Sequence, residues 1–160
     1  MVHNRDWGPP LWRILHICAE RCGRQPSHLL HMDEVHTVLN FLKLVKCILP
    51  CQLCQQHYTQ WLKNHPVKFL GKQNPTEFHE AVKKWLFNLH NTINEQRGLE
   101  TMPIEDAITL YSNMSSKDFQ EALDSLLEVL ERAKLQRLVD GSHIREWRQC
   151  LSFLRRFIMV

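Results

Sequence analysis

Apolar residues recur along almost the whole chain at intervals of three and four, the period of a helix with one buried face. Leu11, Trp12, Ile14, Leu15, Ile17 and Cys18 mark such a face and predict a first helix over residues 7 to about 21. Gly8-Pro9-Pro10 suits its entrance, where proline forfeits no helical hydrogen bond, and the stretch from Cys22 to Pro26 ends it. Asp33 is placed as the N-cap of a second helix carrying Val35, Val38, Leu39, Phe41, Leu42, Leu44 and Val45. Pro50 interrupts that run, and a third helix is expected over 51–64, closed by His65-Pro66. Asn74-Pro75-Thr76-Glu77 combines a cap, a proline at the first helical position and a glutamate three residues after the cap. The helix it starts should reach about residue 96, with Gly98 as its stop.

A short helix near 105–111 follows. A long amphipathic helix then begins at Ser116, with Phe119, Leu123, Leu126, Leu127, Leu130 and Leu138 on one face. Asp140-Gly141-Ser142 is a turn, and a last helix is expected over 143–157. No segment alternates with the period of a strand, and the expected class is all-α. Five glycines in 160 residues, less than half the usual share, fit helices better than a turn-rich β fold.

The length suits one domain with a real core. No stretch of about 18 apolar residues occurs, so no membrane contact is expected. The opening residues from Met1 to Trp12 lack a basic-then-apolar leader, which points to a cytoplasmic rather than a secreted chain. A net charge of +3 on scattered Lys and Arg gives nucleic-acid binding little support.

The chemistry lies in the cysteines. There are six, at 18, 22, 47, 51, 54 and 150. Cys51-Gln52-Leu53-Cys54 stands at an expected helix start, where two intervening residues bring the sulfurs within disulfide reach. The free N–H groups and dipole of a helix N-terminus favour a thiolate at the first cysteine, the species that attacks disulfides. The same motif can be half of a zinc site completed by Cys47, His57 or His90, and on its residues alone both readings stand. His90, Asn91 and Asn94 add an imidazole and two amides within five residues of one helix, a pattern suited to polar recognition of a ligand. Gly8, Trp12 and His16 are spaced four apart, so two flat rings share one face of the first helix. Cys18, Cys22, Cys47 and Cys150 read most simply as buried thiols.

Three motifs in order and in register carry a resemblance. They are Trp7-Gly8-Pro9-Pro10-Leu11-Trp12 with Leu15-His16, Pro50-Cys51-Gln52-Leu53-Cys54 with His57-Tyr58, and the run from Trp85 through His90-Asn91 to Asn94. Over residues 7–98 the chain resembles the Erv/ALR family of FAD-linked sulfhydryl oxidases, most closely the compact forms encoded by large DNA viruses. The resemblance implies a four-helix-bundle FAD-binding core with a short fifth helix, over residues 1–99, usually paired as a homodimer. Residues 100–160 match nothing in the family and are expected to be a C-terminal helical extension, packed on the core or at a dimer interface.

The resemblance also implies roles. Cys51 would meet an incoming protein dithiol, and Cys54 would face the flavin, from which dioxygen takes the electrons to give hydrogen peroxide. Gly8, Trp12, His16, His57, Trp85, His90, Asn91, Asn94 and Arg97 would hold FAD, and no metal is expected. Phe87 stands where some members carry a structural cysteine, and Leu99 where a basic residue is common. The competing reading is a zinc-stabilised interaction module using Cys47, Cys51, Cys54 and His57.

Overall fold

Polar side chains cap most of the helix starts, and a computed structural model describing residues 1–160 shows seven helices and no strand. In chain order they are α1 (Asn4–Arg21), α2 (His28–Leu44), α3 (Gln52–Asn64), α4 (Pro75–Gln96), α5 (Ile104–Ser112), α6 (Ser116–Leu135) and α7 (Gly141–Ile158). Two 3-10 turns, Val45–Ile48 and Val67–Leu70, lead out of α2 and α3. Asn74 Oδ1 accepts the N–H groups of Thr76 and Glu77, with Pro75 opening α4. Ser115 and Asp118 cap α6 reciprocally, and Asp140 caps α7 through the Ser142 N–H.

Two helices start three or more residues earlier than their sequence patterns predict, and α7 starts two residues early, with Gly141 and Ser142 of the expected turn inside it. The N-cap of α2 is Ser27, whose hydroxyl accepts the Leu30 N–H; Asp33 lies inside the helix, where its main-chain carbonyl takes the Thr37 hydroxyl. α1 begins at Asn4 instead of Trp7, because the Asp6 carboxylate takes the His3 N–H and secures an extra turn ahead of the prolines. Pro9 and Pro10 are therefore inside the helix, where each removes one bond to the carbonyl four residues earlier. Those carbonyls, of Arg5 and Asp6, belong to a partly exposed first turn, so the cost is small. Leu138 lies beyond α6 and is exposed, while the other stripe residues face inward or are half-buried.

α1 is the central element. One side packs on α4, and the other is covered by α6; α7 lies against α2. Residues 100–160 thus lie on the first four helices, and both parts contribute to one continuous apolar cluster. Ile14, Ile17, Phe41, Phe78, Phe119, Leu126 and Trp147 are among its fully buried members. The buried Glu34 carboxylate takes the Gly23 N–H at 2.7 Å and the Gln25 side-chain amide at 3.2 Å, and that amide also donates to Phe157 O at 2.9 Å. This joins the ends of α1 and α7 to α2. Gly23 has φ +78°, and a Cβ there would sit 2.5 Å from the Pro75 carbonyl oxygen, so the turn after α1 requires glycine.

Candidate redox site

Pro50 and the extended backbone of Cys51 end the preceding turn, and α3 starts on Cys51 as its N-cap. The Cys51 Sγ accepts the N–H of Cys54 at 3.2 Å, so the sulfur does the work that serine or aspartate does elsewhere. Cys51 and Cys54 form a disulfide across this first turn, with their Cα atoms 5.1 Å apart. Both are half-buried. α3 is held behind them by Tyr58, whose buried hydroxyl donates to the Leu42 carbonyl, and by Gln55, which donates to Leu49 O at 2.7 Å.

The disulfide borders an apolar cleft of about 230 Å³ between α1, α3 and α4. Trp7, Leu11, Trp12, Leu89 and Ile93 give it flat and aliphatic walls; Asn4, His57, Gln96 and Arg97 are polar residues in its lining. A Cβ on Gly8 would point into open space within it. The Trp7 indole N–H is buried without a partner beside this space. A second, polar cleft of about 670 Å³ adjoins it through His57, Leu89, Ile93 and Gln96, and includes Asn64, His65, Asn91 and Thr92. Trp61 lines it, and its buried N–H is also without a partner. An apolar slot ending at two sulfurs and opening into a polar trough suits a molecule with one flat ring system and one polar end. No three His, Cys, Asp or Glu side chains converge on a point where they could ligate a metal.

Behind the slot is a stack of rings. Trp12 lies on His90 with centroids 3.9 Å apart and planes 8° apart; Tyr111 lies on His16 at 4.2 Å and 7°. His16 Nε2 and His90 Nδ1 are 2.9 Å apart and share one hydrogen bond, so one ring donates and the other accepts. Burial lowers His16 to about 3, helped by the neighbouring His90, and burial alone lowers His90 to about 4.

The chain matches the Erv1/Alr family over residues 9–112. It belongs to that family. A FAD-linked sulfhydryl oxidase of African swine fever virus is 30% identical over 96 residues, covering 60% of this chain and 69% of the viral protein. The FAD-linked sulfhydryl oxidase ERV1 of Arabidopsis thaliana is 27% identical over 104 residues, covering 65% of this chain and 49% of the plant protein. No solved structure matches the chain significantly. The all-α architecture agrees with the Erv1/Alr resemblance, and the family match runs on through α5.

Of the residues that resemblance singles out in this Erv1/Alr chain, Cys51, Cys54, Gly8, Trp12, His57 and Arg97 line the apolar slot. Asn91 lines the polar trough, but its amide N–H donates to Met102 O and its carbonyl accepts the Met102 N–H, both at 2.9 Å. It thereby fixes the loop leading to α5. His16, His90 and Trp85 lie behind the slot, Trp85 donating its indole N–H to His65 O at 3.0 Å. Asn94 lies at the end of α4, its main-chain carbonyl taking the Leu99 N–H at 2.8 Å. Tyr111 and Asn4 are neighbours of the site that no sequence pattern marked, one arriving from α5 and the other from the unforeseen first turn of α1.

The paired histidines set a pH dependence. In the unfolded chain His16 titrates near 6.5, but in the fold it stays neutral down to about 3. Between those values the unfolded state holds the extra proton. Stability is therefore full above about pH 6.5 and falls as the pH drops, by up to about 1.4 kcal/mol per unit for that proton. His90 acts in the same direction. Urea unfolding of His16→Gln should lose less stability than the parent between pH 6.5 and 5, by up to about 2 kcal/mol. Equal losses in the two proteins would remove the histidine pair as the cause.

Proposed function

We propose that the chain is an FAD-linked sulfhydryl oxidase that forms disulfides in protein dithiols through Cys51 and Cys54. The observation that carries this reading is a Cys51–Cys54 disulfide bordering an apolar slot with a bare glycine wall and an unpartnered indole donor. Gly8, Trp7, Trp12 and Leu89 would hold a flat ring against the sulfurs, with His57, Arg97 and the adjoining trough for the polar remainder. FAD, when bound, supplies an acceptor for two electrons from the thiols and a route from there to dioxygen, giving hydrogen peroxide.

The chain's own part is thiol exchange. A substrate thiolate attacks Cys51 Sγ, the Cys51–Cys54 bond breaks, and the electron pair leaves on Cys54. The second substrate thiolate then attacks the substrate sulfur of the mixed disulfide and releases Cys51 as a thiolate, which the Cys54 N–H and the α3 N-terminus stabilise. His16 and His90 support the slot from behind through Trp12, and Trp85 through Tyr58; Asn94 holds the end of α4 through the Leu99 N–H. The alternative use of Cys47, Cys51, Cys54 and His57 as a zinc site has no converging ligand set, and Cys47 lines a different cleft, with Gln55 and His143.

We place the activity in the cytoplasm, on the resemblance to viral members. No helix is long and apolar enough to cross a membrane. A homodimer, which the resemblance implies, would form through surfaces other than those of α1 and α2 that α6 and α7 cover. The test of the function is the visible spectrum of the purified protein. A flavin band that bleaches with dithiol and recovers in air, with peroxide formed, is the expected result. A colourless protein with one equivalent of zinc overturns the reading.

A further inference from the structure

We infer that Asn4 is a positioning residue for Cys54, its side-chain amide holding the sulfur at the slot and stabilising it as a thiolate whenever the disulfide opens. This rests on the thiol-exchange reading above. Asn4 is the first residue of α1, fifty positions before Cys54 in the chain, yet its Nδ2 donates to the Cys54 Sγ at 3.7 Å. It is half-buried and lines the same slot as the two cysteines.

The contact depends on a turn of helix that the prolines would not require. Were α1 to begin at Gly8-Pro9-Pro10, Asn4 would lie outside it. The Asp6 carboxylate, by accepting the His3 N–H at 2.9 Å, adds the turn that carries Asn4 to the sulfur. The two sulfurs then have matching surroundings: Cys51 faces a main-chain N–H at 3.2 Å and Cys54 faces a carboxamide N–H. Both partners are donors. A donor binds a thiolate more strongly than a neutral sulfur, because the bond gains charge assistance.

The consequence follows the exchange step. When a substrate thiolate attacks Cys51 Sγ, the Cys51–Cys54 bond breaks and the substrate–Cys51 bond forms. The electron pair of the broken bond stays on Cys54 Sγ, beside the Asn4 amide, until Cys54 is oxidised again. Stabilising that leaving thiolate speeds its departure and makes the pair a stronger oxidant, since the reduced form is favoured over the disulfide. Asn4→Ala removes the donor, and Asn4→Asp puts a like charge of the same shape against the sulfur.

Two measurements test this without relying on cofactor turnover. In a Cys51→Ser background, alkylation of Cys54 by iodoacetamide is followed against pH, with the modified Cys54 peptide quantified by mass spectrometry. Asn4→Ala should move the midpoint up by about 0.5–1 unit, slowing alkylation at neutral pH about 3- to 10-fold, and Asn4→Asp should move it further. With both cysteines present, equilibration against glutathione should show the pair less oxidising in Asn4→Ala by a similar factor in the equilibrium constant. Unchanged midpoints in both variants overturn the inference. A shifted midpoint in a protein that shows no oxidase turnover would remove the oxidase reading but keep Asn4 as the partner of Cys54. Normal turnover with no shift would do the reverse.

Discussion

Replacing Cys54 by serine removes thiol-dependent oxygen consumption, by roughly a thousandfold or more, while leaving the fold and the slot intact. The structural half of this expectation follows from the geometry. Cys54 is half-buried, and its main-chain N–H, not its side chain, completes the α3 cap on Cys51, so the helix start survives the change. The chemical half follows from electron count. With Cys51 alone, a substrate thiol has no disulfide to attack, and no electron pair reaches the slot. An oxygen electrode with a small dithiol checks the rate, and the visible spectrum checks that bound cofactor is unchanged. Cys47→Ser is the control: that half-buried thiol lines the cleft near His143 and should leave the rate within about twofold. Undiminished turnover in Cys54→Ser would show that electrons leave the substrate by another route and end the proposed division between the two cysteines.

The two cysteines proposed to carry this chemistry are legible in the sequence because their pairing depends on short spacing. Cys51 and Cys54 need only a helix start, and Pro50 announces one. Asn74, Pro75 and Glu77 likewise encode a local device, and the helix begins at Pro75 as they predict. Local pattern and structure part where two local devices compete. Asp33 is a good cap in isolation, but Ser27 lies six residues after the end of α1 and captures the start of α2 first. Pro9 and Pro10 mark an entrance unless something upstream secures an earlier turn, and Asp6 does so.

Tyr111 illustrates a different limit. Nothing about Ala107, Leu110 and Tyr111 on a nine-residue helix says which of them meets His16; the clamp of Asn91 on Met102 decides that by aiming the loop before α5. The same holds for Asn4, whose partner is fifty residues away. Long-range pairings of this kind come from tertiary packing, which no local pattern records. The extension was visible as helices, but its position on α1 and α2 depends on which apolar faces those helices leave uncovered.

That position makes Trp147→Ala costly, although Trp147 lies far along the chain from both cysteines. The indole is fully buried on α7, with its ring stacked on Phe41 of α2 at 5.7 Å between centroids. Truncating such a side chain leaves a cavity and costs about 3–5 kcal/mol, a large share of the 5–15 kcal/mol that holds a domain together. For a chain of this size the melting temperature should fall by roughly 10 °C. Trp147→Phe separates packing from hydrogen bonding, because the Trp147 N–H is buried with no acceptor. Phenylalanine keeps most of the contact with Phe41 and removes that unpaired donor, so its cost should be well below that of alanine. The shape of the transition matters as much as its midpoint. Residues of α6 and α7 share one apolar cluster with α1, α2 and α4, so Trp147→Ala should unfold in a single step by far-ultraviolet circular dichroism and by tryptophan fluorescence. Two separated steps, with the cysteine-bearing helices persisting after α6 and α7 melt, would show that the extension is an appended unit and that the core stands without it.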